Sequence, residues 1–410
     1  MLKSTSTRPF VAPEYERSLK ARKSILPAIV PAILPAVIPP VVLGVSVEVS
    51  ANNLHLDKFW FRDYLDFGQN KGMFVPGATG LSIMDKNGNM LELPNVPFPD
   101  FSPVSNTGPT TYVGGGFAVT AAHNKKWGAW KKDVGEPFWG ISSYGMHERP
   151  IYEPNYNTKP DEAAIHDDFA IVRLNKYVVE TPGYTDAVDV TLNNKEFLDR
   201  YGVVYNGKKM VLAYRAGAGV LYTTYKGKKT EFKSADYRSE LLSGSIYRLN
   251  SWNPGGDRAN FVKLFDFYNE TTGGDSGSAV LLWDNKLQKW VIAGVLLGIG
   301  GGSSGVNYMI YSKWHPASVQ KFKDRYTHKV LLNQGNLLFS ATTDREYTLA
   351  GAQKTIDRHR DMTFTDGGLI TLQKNLDLGV GGLVFDENKN YTVEGSNFTY
   401  RGAGIDIGNI

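Results

Sequence analysis

The chain has 410 residues, room for two or three domains, with 45 basic against 41 acidic side chains and a net charge of +4. A balance this close to neutral, with no Lys/Arg block, argues against a nucleic-acid partner. The absence of cysteine excludes a thiol nucleophile and a thiolate zinc site, and leaves the redox compartment open.

Arg17, Lys20, Arg22 and Lys23 precede an apolar run from Ile25 to about Val45 that ends in VEVSA at 47–51. This pattern predicts an export leader over 1–51. Val49 and Ala51 are small residues placed for signal-peptidase cleavage before Asn52. Pro27, Pro31, Pro35 and Pro39 recur every fourth residue and each removes a helical donor, so a proline-rich anchor or irregular tail is the alternative. No other stretch approaches the roughly 18 apolar residues of a membrane span.

Past the leader, 54–72 reads as a short aromatic-rich helix. Short strands follow at 112–122, 169–174, 202–217, 219–225, 278–283 and 290–300, with glycines between them. Strands at this spacing predict an all-β chain of barrels or sandwiches. From about residue 330 the texture changes. LITL (369), LDL (376), LVF (383), YTV (391), FTY (398) and IDI (405) arrive every seven or eight residues, which predicts the first coils of a parallel β-solenoid. An ordinary small β-domain is the alternative, and the pattern stops at Ile410 as a fragment's would.

The stretch TTGGDSGSAV at 271–280 sets a lone hydroxyl, Ser276, among three glycines. Glycine costs backbone entropy and packs nothing, so the bare main chain needs another reason. A serine that hydrolyses amides needs a base, an acid that orients the base, and backbone donors for the oxyanion. The amides of Gly274 and Ser276 can converge on one oxygen, while Gly273 and Gly274 leave room for substrate. His123, at the end of GFAVTAAHN (116–124), is the best-placed base of the seven histidines. Asp168, directly before the apolar strand 169–174, is the acid candidate, with Asp167 competing for the role. His166 beside that acidic pair suggests a metal ligand only weakly, since no matching cluster exists elsewhere, and neither metal nor cofactor is expected.

TAAH (120–123), DFAIVRL (168–174) and GDSGS (274–278) resemble the three active-site blocks of chymotrypsin-fold serine peptidases. Longer phrases narrow the resemblance: FRDYLDFGQNKGMFVPGATGLSI (61–83), ELPNVPFPDFS (92–102), LNKYVVET (174–181) and the run 379–408. These are similar to the immunoglobulin A protease-like group, the serine protease autotransporters of enteric bacteria, from about Leu54 to Ile410. The resemblance implies a chymotrypsin-like double β-barrel over 52–320 and the start of a right-handed parallel β-helix over 321–410. It also implies His123, Asp168 and Ser276 as base, acid and nucleophile, and Gly274 as an oxyanion donor. Asn124 stands where many vertebrate relatives have cysteine. NNLHL from residue 52 is unlike a zymogen-activated N-terminus, which leaves Asp275 without an obvious amino-terminal partner.

The expected activity is that of a secreted, monomeric serine endopeptidase acting on protein or glycoprotein, at a membrane only during export. Glu270, Thr271 and Thr272, with Leu297, Gly298 and Ile299 opposite, are the specificity-pocket candidates. An acidic Glu270 at the pocket floor would favour a basic residue, unless it is simply a surface carboxylate. The competing function is a catalytically idle adhesin whose 22 tyrosines furnish contacts.

Overall fold

The computed structural model describes residues 53–105, 108–124, 146–148, 165–218, 221–231, 242–254, 256–271, 275–301, 307–333, 335–336, 338–396 and 399–408, with backbone alone at 146–148, 165–166, 301 and 307–308. The predicted leader and its cleavage after Ala51 lie outside these residues, as do Thr272, Gly273 and Gly274.

An antiparallel sheet of Thr110–Tyr112, Phe117–Ala121, Phe169–Leu174 and Met146–Glu148 forms the first layer, with Ile165–His166 also paired to Phe169–Leu174. Every residue of Phe117–Ala121 and of Phe169–Leu174 is buried. These strands therefore read as continuous apolar runs rather than alternating ones.

The second layer is a closed barrel. Ser243–Ser251, Arg258–Lys263, Asn307–Lys313, Lys289–Gly301, Ala279–Asp284 and Lys208–Gly217 follow one another, and Lys208–Gly217 pairs back onto Ser243–Ser251. Closure leaves no free edge among these six strands. Val211, Ala213, Tyr247, Phe261, Val280, Leu282, Val291 and Tyr311 pack in one of its clusters, capped by Phe197 stacked on Trp252. A second, larger cluster joins this barrel to the first sheet, from Val119 and Ile171 to Leu281 and Val295.

Three sequence expectations change. The run 112–122 is the end of one strand, Thr110–Tyr112, a turn, and a second strand, Phe117–Ala121, paired antiparallel to the first. Residues 54–72 begin as a strand, Asn53–His55, and only Phe61–Gly68 is helical. Asn53–His55 lies between Tyr222–Tyr225 and Asn269–Glu270, so tertiary pairing overrides the local helical pattern. The run 202–217 is two strands, Gly202–Tyr205 and Lys208–Gly217, joined by Asn206 and Gly207 at φ 48° and 71°. Asn-Gly supplies the two positive φ values that a tight hairpin needs.

From Thr327 onward the strands stack in parallel, apart from an antiparallel hairpin, Glu346–Leu349 and Ala352–Thr355, that extends from Phe339–Ala341. Thr327–Val330, Asp361–Phe364, Leu383–Asp386 and Ile405–Gly408 form one ladder. Phe339–Ala341, Gly368–Leu372 and Tyr391–Gly395 form a second, and Leu376–Asp377 with Tyr400–Arg401 a third. The first register steps are 34 residues (Thr327↔Asp361) and 31 (Phe339↔Ile370); the later ones run from 21 (Met362↔Leu383) to 24 (Leu376↔Tyr400), one coil per step. Phe339, Phe364, Phe385 and their neighbours fill the inside.

A buried ion pair joins the solenoid to the first sheet. Arg173 has no solvent exposure. Its guanidinium donates to both oxygens of Asp361, at 2.6 and 2.9 Å, and to the carbonyls of Gly115 and Val380, each at 2.7 Å. Asp361 also accepts from the Tyr177 hydroxyl at 2.7 Å and the Gly382 amide at 2.8 Å. Hydrogen bonds of this number are what a buried pair needs to offset its desolvation, with Arg173 Nε left without a partner among the described residues.

Candidate active site

The strand Phe117–Ala121 delivers His123 to its position. Ala121 and Ala122 are buried, and the next residue emerges with its side chain 38% exposed. Across the sheet Ala121 pairs with Phe169, and the Ala122 amide donates to the Asp168 carbonyl at 2.7 Å. That register sets Asp168 opposite His123. The His123 amide donates to Asp168 Oδ1 at 3.0 Å, and Nδ1 lies 2.6 Å from Oδ2. An ionised carboxylate only accepts, so the Nδ1 position carries the proton and the Nε2 lone pair is left available as a base.

The neighbouring acid is turned away. Asp167 has φ 54°, a left-handed conformation that aspartate tolerates better than most residues. Its carboxylate accepts two bonds from Arg258, at 2.6 and 2.8 Å, and one from the Ser312 hydroxyl at 2.9 Å. Burial alone would raise its carboxyl pKa, but the Arg258 and Ser312 hydrogen bonds outweigh it and hold it below the usual range.

Ser276 sits at the mouth of the closed barrel, just before Ala279–Asp284. The Gly277 amide donates to Leu296 O at 2.7 Å and the Leu296 amide to Ser278 O at 2.9 Å. The register against Asn307–Lys313 shifts between Leu296 and Gly298, so Leu297 is the extra residue of a β-bulge, a device that re-aims one residue. Its carbonyl accepts from Ser276 Oγ at 3.3 Å. No hydrogen bond joins Ser276 to His123 among the described residues. The link between their turns runs through Asn124, whose Nδ2 donates to the Ser276 carbonyl at 2.5 Å and to Thr120 Oγ1 at 3.0 Å.

Asp275 has a cationic partner that is a side chain and not a chain terminus. It is fully buried, as is Arg215 of the strand Lys208–Gly217. Arg215 Nη1 lies 3.3 Å from Asp275 Oδ1, Nη2 lies 3.5 Å from Oδ2, and Nη1 donates to Ser278 Oγ at 3.0 Å. Burial opposes the arginine's charge, and Asp275 with Tyr247 more than restores it. Arg215 and Asn124 were not read from sequence as site residues. The signal for Arg215 was present: a charged residue inside the apolar VLAYRAG is seldom buried without a partner.

Of the pocket candidates, Glu270 is half-buried. Its carboxylate accepts from Asn53 Nδ2 at 3.0 Å and lies 3.8 Å from His55 Nε2. Thr271 is fully buried. Gly298 borders open space, since a Cβ there would meet nothing within 4 Å. No group of three or more potential metal ligands occurs among the described residues, and no described helix is long and apolar enough to cross a membrane.

The family model described as Immunoglobulin A1 protease matches residues 52–314. The chain belongs to the immunoglobulin A1 protease family. Among curated relatives of this peptidase family, serine protease EspP of Escherichia coli O157:H7 is 40% identical over 359 residues, covering 88% of this chain and 26% of that protein. The Escherichia coli serine protease pet autotransporter is 38% identical over 373 residues, with 88% and 27% covered. The chain thus spans about a quarter of these relatives. The crystal structure of the plasmid-encoded toxin passenger domain from enteroaggregative Escherichia coli superposes with a TM-score of 0.68 at 35% identity, covering 87% of this chain and 35% of that one. The Haemophilus influenzae Hap adhesin shares the fold, with a TM-score of 0.66 at 20% identity.

Proposed function

We propose that this chain is the protease part of an exported autotransporter passenger. In this reading residues 1–51 are the leader, 52–320 the protease and 321–410 the start of the stalk. Ser276 is the nucleophile, His123 the general base and Asp168 the orienting acid. The observation that carries the reading is the 2.6 Å contact of His123 Nδ1 with Asp168 Oδ2, which leaves Nε2 basic on a turn tied to the Ser276 carbonyl.

The reaction follows from these parts. The Ser276 side chain rotates from Leu297 O toward His123 Nε2, a movement expected because hydrogen bonds of this kind tighten only when substrate binds. Oγ attacks the peptide carbonyl carbon while its proton passes to Nε2. The amides of Gly274 and Ser276 hold the oxyanion. The C–N bond breaks as Nε2 returns the proton to the leaving amine, and water then releases the acyl-enzyme by the same base. Substrate side chains enter beside Gly298, with Glu270, Thr271 and Thr272 as the other pocket candidates. The substrate is a host protein or glycoprotein met outside the cell.

Ser276→Ala tests this. Peptidase turnover should fall by about a millionfold with the melting temperature unchanged, and a fluorophosphonate should label the native protein at Ser276. Undiminished hydrolysis by the variant ends the assignment. An unlabelled native protein would leave the adhesin reading standing.

A further inference from the structure

The reading of GDSGS as an oxyanion loop gives no role to the glycine after the serine, nor to the residue after the histidine. Gly277 has φ 91°, and a Cβ built on it would run into the carbonyl of Pro109, the hydroxyl of Thr120 and the carboxamide of Asn124. The same three polar groups form a chain of bonds: Asn124 Nδ2 donates to Thr120 Oγ1 at 3.0 Å, and Thr120 Oγ1 donates to Pro109 O at 2.6 Å. The second hydrogen of Nδ2 goes to the Ser276 carbonyl at 2.5 Å. Because a backbone carbonyl only accepts, the amide nitrogen must face Ser276, so the orientation of this side chain is fixed by its partner. Bare backbone at Gly277 lets the serine turn lie flat against this network.

We propose that Asn124 is a positioning residue that sets the nucleophile's turn in register with the base's turn, acting through the Ser276 main chain and not on substrate. The proposal rests on the protease reading above. With Ser276 Oγ bonded to Leu297 O, the main-chain bond from Asn124 ties the nucleophile's turn to the turn that carries the imidazole. No disulfide can do this in a chain without cysteine. An error of about 1 Å in such a relation is enough to slow chemistry by about 10²-fold.

Two replacements separate positioning from packing. Asn124→Asp keeps the shape but sets an acceptor against the Ser276 carbonyl. Asn124→Ala removes the bond without repulsion. The readouts are kcat, KM and the rate of fluorophosphonate labelling per folded molecule, with folding checked by melting temperature. The expected order is native, then alanine about tenfold slower, then aspartate about 10²-fold slower, with KM within about threefold throughout. A packing role predicts the reverse, because the isosteric aspartate would outperform alanine. That order, or native labelling rates in both variants, overturns the proposal. Should neither variant fold, Thr120→Val removes the hydroxyl that aims the carboxamide, and unchanged labelling there overturns it equally. A native protein that neither labels at Ser276 nor cleaves peptides defeats the protease reading itself. A native protein that labels normally alongside unaffected variants defeats only this inference.

Discussion

Two arginines without solvent exposure face two aspartates, one pair at the junction with the solenoid and one behind the serine turn, and they are built differently. Arg173 and Asp361 meet at 2.6 and 2.9 Å, with two carbonyls, a tyrosine hydroxyl and a backbone amide as further partners. Arg215 and Asp275 meet at 3.3 and 3.5 Å. The junction pair makes the closer contacts, and both pairs carry the same cost, that of removing charge from water.

The largest expected effect breaks the tight pair. Asp361→Ala leaves Arg173 buried and unpaired, and should cost about 3–5 kcal/mol in chemical denaturation. Fluorescence of tryptophans near the closed barrel and circular dichroism of the solenoid should then fall at a shared, lowered midpoint. Separate midpoints would mean that the junction does not couple the two regions. Next, Arg215→Met should destabilise by less, about 3 kcal/mol, and should lower kcat by about 10²-fold, the scale of one lost oxyanion donor. Adding Asp275→Asn should restore most of the stability but not the turnover. A double variant with native kcat would reduce the looser pair to a structural one. Gly217→Ala sharpens the point: a Cβ there collides with both the Arg215 guanidinium and the Asp275 carboxylate. A cost of about 1–3 kcal/mol is expected from the overpacking, read as a drop in melting temperature.

The smallest effect comes from a surface pair that calibrates the other two. Hydrogen bonds from Lys263, then Lys58, hold the Asp266 carboxyl at about 2, below its usual 3.8. A depressed pKa stabilises above the usual value and loses that contribution as pH falls through the folded one. The advantage of the native protein over Asp266→Asn in urea should therefore be constant at neutral pH, shrink from about pH 4 to about pH 2, and never exceed about 1 kcal/mol, because both groups are solvated.

Much of this architecture was legible in the chain. Five of the six short runs from residue 369 onward carry strands, and Tyr400 at the end of the sixth begins another, because a solenoid coil is a local object whose period is written along the sequence. His123 and Asp168 were legible for a related reason: each ends or begins an apolar strand, and pairing of those strands sets them face to face. Ser243–Ser251 was missed. Its buried end is Ser-Gly-Ser, small and polar because Gly68 and Phe67 press directly on Ser243 and Gly244, so no apolar run announces it. The Asn206-Gly207 hairpin was missed with its signal in view. Arg215–Asp275 and Asn124–Ser276 join residues 60 and 152 positions apart, and such pairings exist only once the barrel closes.

The split between Asp167 and Asp168 has a mechanical consequence. One carboxylate grips Arg258 and Ser312 on the closed barrel, its immediate neighbour grips the imidazole, and the left-handed backbone of Asp167 turns the two grips apart. Any sliding of one β-layer over the other must therefore twist the peptide plane that aims His123, so the alignment of the imidazole serves as a gauge of how the two layers are seated.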